Sequence, residues 1–241
     1  MAHRFWSVPI VGLFFGCVAG LVFLLADQVF SSLVAALLAL LFVHGLNRFL
    51  HVDGLSDLGD GLLAGGSKEK KLAAMKDSRS GAGGIAYLFF FESLSVLALA
   101  MFANQPLALL FLIPLMAEVL AKNALVACAS VGKPSEGMGG IFVRNANGGT
   151  ALASAILSFF IILALSYFLK PYSGWSDIWV VVIGLSLVLV SSLVGAVLAK
   201  LAMRSFGIVN GDVLGATNEI ARPIVLMTLV LVIRCLESVR W

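Results

Sequence analysis

Charge is what this chain has least of: Asp, Glu, Lys and Arg together make up 12% of its 241 residues, about half the share found in soluble domains. With 61% apolar side chains and a mean hydropathy of +1.05, too little polar surface is available to coat a water-soluble globule, and a freely soluble enzyme is excluded. Cysteine is scarce as well. Cys17, Cys128 and Cys235 each sit inside an apolar run, with no second cysteine or histidine at ligand spacing. The three read as small buried hydrophobes in preference to a metal or redox role. No internal repeat, low-complexity stretch or soluble domain is visible, so residues 1–241 read as one integral membrane domain.

Apolar sequence, by contrast, comes in runs of membrane length. A hydrocarbon core of about 30 Å takes about 20 helical residues to cross, and seven such runs stand out: 8–26, 29–47, 84–103, 106–130, 150–169, 178–201 and 223–239. Helices satisfy their own backbone in lipid, so the expected fold is all-α, a polytopic integral membrane helical bundle of about seven transmembrane segments. The first run lacks a small-residue cleavage site and is followed at once by a second, which marks it as a retained helix. Placing Arg4 in the cytoplasm sends Arg48, Lys68, Lys70, Lys71, Lys76, Arg79, Lys133, Arg144, Lys200, Arg204 and Arg222 to the same side. Asp27, Gln28, Asn104, Gln105, Lys170 and Asp177 fall outside, the distribution of a protein of the cytoplasmic membrane. Arg234 and Arg240 run against that rule. Trp175, Trp179, Tyr167 and Tyr172 bracket one outer connection and Trp6 lies near the inner boundary, as interfacial anchors do.

This topology brings three polar, glycine-bearing loops to the cytoplasmic face: 48–83, 131–149 and 200–222. The first carries Asp53, Asp57 and Asp60, whose spacings of four and three put them on a narrow arc of one helical face. Carboxylates so close repel one another unless a cation lies among them. Hard oxygen ligands without cysteine or paired histidine favour Mg²⁺ or Mn²⁺ over Zn²⁺, and Mg²⁺ is the expected cofactor. A merely solvated loop is the plainer reading; three acids on one face at the membrane boundary count against it. Lys76, Arg79 and Arg144 can hold a phosphate or diphosphate, and glycines let backbone N–H groups approach phosphate oxygens. The combination describes phosphoryl-type transfer.

Other polar groups have simpler readings. Lys68, Lys70 and Lys71 read as a topogenic patch on anionic lipid. His51, two residues before Asp53, is a candidate base or carboxylate-orienting group. His44 shares a helix face with Asn47 and His51 and reads as a packed interior residue. Within the membrane, Glu118 and Lys122 have the spacing of an intrahelical ion pair. Glu92 lacks a local partner and, like Asn123, is expected to face the bundle interior or a polar cavity.

The stretch His51-Val52-Asp53-Gly54-Leu55-Ser56-Asp57-Leu58-Gly59-Asp60-Gly61, followed by Met75-Lys76-Asp77-Ser78-Arg79-Ser80-Gly81-Ala82-Gly83, resembles the cobalamin-5′-phosphate synthase (adenosylcobinamide-GDP ribazoletransferase) family. Pro9 to Leu13 is similar to its first helix, Glu136-Gly137-Met138-Gly139 with Phe142 to its middle loop, and Gly211 to Glu219 to its late loop. Asn210 and Ile220-Ala221-Arg222 depart from the common pattern. The resemblance implies a multi-spanning Mg²⁺-dependent enzyme that joins adenosylcobinamide-GDP to α-ribazole or its 5′-phosphate and releases GMP, completing the lower nucleotide loop of a cobamide. It implies metal ligation by Asp53, Asp57 and Asp60, with one of these or His51 accepting the hydroxyl proton. Expected substrate contacts are Asn47, Lys76, Asp77, Arg79, Gly81, Gly83, Arg144, Asp212, Asn218 and Glu219, with Asp212 and Glu219 also candidates for a second ligand set. The expected partners are these substrates and membrane lipid, not nucleic acid, and a homo-oligomer or a complex with other cobalamin-assembly enzymes is compatible with the reading.

Two rival readings exist. Asp57-Leu58-Gly59-Asp60-Gly61 matches the start of the CDP-alcohol phosphotransferase signature, but Gly65 stands where that signature needs Arg and its later aspartates are absent. A divalent-cation or polyanion transporter is disfavoured because the acids cluster at the boundary and no repeat is visible.

Overall fold

Proline, glycine and polar punctuation divide the apolar runs into ten α-helices among residues 2–103, 105–173 and 176–238, which the computed structural model describes; no strand occurs among them. A 3-10 turn at Ala2–Ser7 enters α1 (Val8–Asp27). Next come α2 (Ser32–Leu46), α3 (Leu50–Leu63), α4 (Lys68–Met75), α5 (Ala82–Ala100) and α6 (Leu107–Val131). The chain closes with α7 (Gly137–Asn145), α8 (Gly148–Ser173), α9 (Asp177–Ser205) and α10 (Gly211–Ser238). Six helices are long and apolar enough to cross a membrane: α1 with its preceding turn, α5, α6, α8, α9 and α10. The pair α2 and α3, bent by 95°, brings the number to seven if it makes one broken span. The all-α polytopic expectation is borne out.

The axis of the bundle is α6. Protein buries 94% of its most apolar stretch, against 33% for α1 and 28% for α5 and α8. Close approach by α1 requires small residues, because association within lipid relies on packing more than on water exclusion. Gly12, Gly16 and Gly20, one turn apart on α1, lie directly on the α6 backbone; a Cβ at Gly12 or Gly16 would meet Val119 or Leu115 Cα at 2.7 or 2.6 Å. The outer faces of these helices carry exposed Phe14, Phe89, Phe160, Leu185 and Leu189, as a lipid-facing surface should. Trp179, Tyr167 and Tyr172 are exposed near the outer connection, where Lys170 pairs with Asp177. Asn104, Trp175 and Arg240 lie outside the described residues.

Two expected boundaries change. The second run predicts a span over 29–47, but α2 has 15 residues, roughly 22 Å of helix, less than the membrane core. It ends where Arg48 and Phe49 both adopt left-handed backbone angles, φ 56° and 60°; two successive non-glycine residues in that region swing the chain into α3. The second change concerns the expected loop 200–222. With α9 continuing to Ser205 and α10 starting at Gly211, the connection is residues 206–210, and the last membrane helix begins at Gly211 instead of 223. Arg222 is therefore no topogenic loop charge: it is 1% exposed inside α10. An apolar-run count stops at such a residue because it cannot see the carboxylates that neutralise it.

Candidate functional site

The aspartates lie on α3, and glycine decides how near α3 comes to its neighbours. A Cβ at Gly54 would meet the Asp212 carbonyl oxygen of α10 at 2.7 Å, and one at Gly59 would meet the Gly83 carbonyl oxygen of α5 at 2.7 Å. Leu55 and Leu58, on the buried face, join a cluster with Met75, Phe206, Val209 and Val213. The opposite edge of α3 then presents its acids beside the first turn of α10. Asp57 feels the like charge of Asp53, Asp212 and Asp60. Asp53 is exposed, while Asp57, Asp60 and Asp212 are half-buried.

These four carboxylates have different surroundings. Asp60 accepts the Gly81 N–H at 2.7 Å through Oδ2 and the Gly84 N–H at 2.8 Å through Oδ1. It thereby satisfies donors at the start of α5 and lies at the favourable end of that helix dipole. Gly81 and Gly83 are thus packed around Asp60 and the α3 backbone. Asp212 accepts a hydrogen bond from Asn210 Nδ2 at 2.7 Å, while Asn210 Oδ1 accepts the Val213 N–H at 3.0 Å, capping α10. Asp53 and Asp57 make no comparable side-chain bond among the described residues, and with Asp212 they offer the hard-oxygen set that suits Mg²⁺. No three aspartate ligand atoms lie within 4.8 Å of one another among the described residues.

A cavity of about 650 Å³ gathers residues from all three expected loops, Lys76, Glu136, Arg144, Asn210 and Asp212 among its lining; of the four acids only Asp212 lines it, and Asp53, Asp57 and Asp60 do not. Asp77 and Arg79 stand apart from it and bind each other, with Arg79 Nε and backbone N–H donating to Asp77 Oδ1 at 3.1 and 3.0 Å. Arg79's hydrogen bonds hold the Asp77 carboxyl below the usual range.

Asn218 and Glu219 are fully buried in α10 and do not reach the cavity. Asn218 Oδ1 accepts from Lys122 Nζ at 2.6 Å; Glu219 is paired with Arg222, whose Nε donates to Glu118 at 2.6 Å. The Glu118–Lys122 pair forms at 3.5 Å, as the spacing predicts, but as part of this larger network. Asn123 meets Ser154, Ser191 and Ser192. His51 Nδ1 lies 3.5 Å from Glu219 and, like Asp53, Asp57 and Asp60, outside the cavity lining. Asn47 stays at the α2–α3 bend, its Oδ1 buried without a partner. Glu92 does have a partner: His44 Nε2, at 3.0 Å. The sequence signal for these groups is the matched spacing of Glu118 and Lys122 on α6 with Asn218, Glu219 and Arg222 on α10, all in otherwise apolar helices.

A family model described as cobalamin-5-phosphate synthase matches residues 1–230. A relative named adenosylcobinamide-GDP ribazoletransferase from Methanocella arvoryzae is 37% identical over 212 residues, which cover 85% of this chain and 78% of the relative. Relatives of the same name from Methanosarcina barkeri and Methanococcoides burtonii are 32% and 31% identical, covering 97% and 99% of this chain and 84% and 86% of theirs. No solved structure is significantly similar.

Proposed function

The chain belongs to the cobalamin-5-phosphate synthase family, and from that premise we propose that it is a membrane-embedded adenosylcobinamide-GDP ribazoletransferase acting at the cavity beside α3. The observation that carries the siting is a cavity lined by Lys76, Arg144 and Asp212, whose Asp212 acts electrostatically on Asp57 of α3. Family membership over residues 1–230 favours this reading over a CDP-alcohol phosphotransferase and over a transporter.

Lys76 and Arg144 hold the diphosphate of adenosylcobinamide-GDP, and the N-terminus of α10 adds its positive dipole end. Mg²⁺ held by Asp53, Asp57 and Asp212 would supply charge neutralisation at the diphosphate oxygens. Asp60, bonded to Gly81 and Gly84, fixes α3 against α5 so that its neighbours keep their aim. A ribose hydroxyl of α-ribazole or its 5′-phosphate forms a bond to the cobinamide-side phosphorus. The bond from that phosphorus to GMP breaks, and the hydroxyl proton passes to a carboxylate of α3. His51 lies away from the cavity and acts as a positioning residue against Glu219. The basic residues of the α3–α5 connection support a cytoplasmic placement of the cavity by the positive-inside rule.

Purified protein in detergent, given adenosylcobinamide-GDP, α-ribazole phosphate and Mg²⁺, is expected to release GMP in step with product. Folded protein that yields no GMP would contradict the proposal, as would GMP release that is independent of the ribazole.

A further inference from the structure

The bend between α2 and α3 holds a second polar cluster that the reaction does not use. His44 ends α2, Glu92 lies midway along α5 and Glu219 comes from α10. One ligand atom from each lies within 4.8 Å of the other two, the only such group among the described residues. His44 is 6% exposed and Glu219 fully buried. Within the group His44 Nδ1 and Glu92 Oε1 are buried without a hydrogen-bond partner, and His51 Nδ1 lies 3.5 Å from Glu219. Buried polar atoms without partners are rare in folded interiors and call for an ion or an ordered water beside them.

Charge points the same way. Glu92, Glu118 and Glu219 act on Arg222, the first from across the cluster and the others by direct pairing. Lys122 is the second fixed cation of the network. Three carboxylates thus face two fixed cations and the imidazoles of His44 and His51; with the imidazoles neutral, one negative charge is left over in an apolar bundle, the sign that attracts a cation. The backbone is also of the right kind: broken helices bring ligands together inside membranes, and here the break is enforced by left-handed Arg48 and Phe49.

We infer that His44, Glu92 and Glu219 form an internal divalent-cation site distinct from the aspartates beside the cavity. One imidazole nitrogen with two carboxylates selects a borderline ion such as Zn²⁺ over Mg²⁺. Arg222 and Asn218 bond to Glu219 and orient it from behind. The ion ties α2, α5 and α10 at the point from which α3 departs and so sets the direction of the helix that carries Asp53 and Asp57.

The test needs no turnover. Full-length protein in detergent is loaded with Zn²⁺, passed over a weak chelating resin, and its metal counted by mass spectrometry. The Asp53→Asn/Asp57→Asn variant, which disables the outer set, is expected to retain about one Zn²⁺ per chain. His44→Gln and Glu92→Gln are each expected to lower retention at least about tenfold under the same wash. If the folded Asp53→Asn/Asp57→Asn protein retains no Zn²⁺, the inference fails whatever the other variants do, and a proton shared by His44 and Glu92 occupies the cluster instead. Retention that survives both His44→Gln and Glu92→Gln overturns it equally. Since ion retention is read directly, a negative result leaves the ribazoletransferase reading untouched.

Discussion

Replacing Arg222 with Met isolates the energetic role of the buried charge network. Arg222 is 1% exposed and bridges Glu118 on α6 to Glu219 on α10. Without it Glu118 keeps Lys122 at 3.5 Å, whereas Glu219 keeps Asn218 and the imidazoles of His51 and His44 but no fixed cation of its own. Removing one member of a buried pair costs about 3–5 kcal/mol, because the charge left behind stays desolvated. The remaining Lys122 contact limits the damage at Glu118, so about 4 kcal/mol for the whole substitution is a fair expectation on that scale. For a chain of this size each kcal/mol moves the midpoint by about 2–4 °C, giving a fall of roughly 10 °C. The assay is thermal unfolding in detergent at neutral pH, followed by intrinsic fluorescence or retention of the monodisperse peak. A second variant separates charge from packing: Arg222→Met with Glu219→Gln removes the orphaned charge while Glu118 keeps Lys122, and is expected to recover most of the loss. Wild-type stability in Arg222→Met would refute the reasoning, and so would a double variant no better than the single one.

Other expectations follow from single contacts. Asp60→Ala leaves the Gly81 and Gly84 N–H groups without their acceptor and should cost about 1–3 kcal/mol, visible as faster limited proteolysis in the 64–81 connection; unchanged cleavage would remove Asp60 as the anchor of α5. Gly16→Val should collapse the folded yield, since even its Cβ would sit 2.6 Å from Leu115 Cα, while Gly45→Ala, with open space around it, should behave as wild type; similar yields for both would refute close α1–α6 packing. Lys76→Ala and Arg144→Ala should each raise KM for adenosylcobinamide-GDP by roughly tenfold, the loss of one charge-assisted contact, and an unchanged KM for both would move the diphosphate out of the cavity.

Periodicity and apolar length were enough to read an all-α membrane bundle, because a lipid-facing helix must announce itself residue by residue. They were not enough to place the end of α2 or the start of α10. Arg48 and Phe49 carry no glycine or proline to mark the left-handed turn, and Arg222 looks like a loop charge until Glu118 and Glu219 are seen around it. The α3 acids were legible as one helical face. Their separation of tasks was not, since it depends on α5 arriving with the Gly81 and Gly84 donors beside Asp60 and on α10 adding Asp212. Glycines with no periodic signal of their own, Gly54 and Gly59, set those distances. His44 and Glu92 are 48 residues apart in sequence, and no local pattern links them.

The most direct test of the central claim is GMP release by Asp57→Asn measured beside the wild type, with folding checked by the same thermal midpoint assay. Asp57 is the α3 carboxylate on which Asp53, Asp212 and Asp60 all act, and the amide keeps its shape while removing the carboxylate. The account expects turnover to fall by at least about a thousandfold, of the order lost when a transition-state charge interaction is removed, with the midpoint at or above that of the wild type. A folded Asp57→Asn protein that releases GMP at the wild-type rate would contradict it.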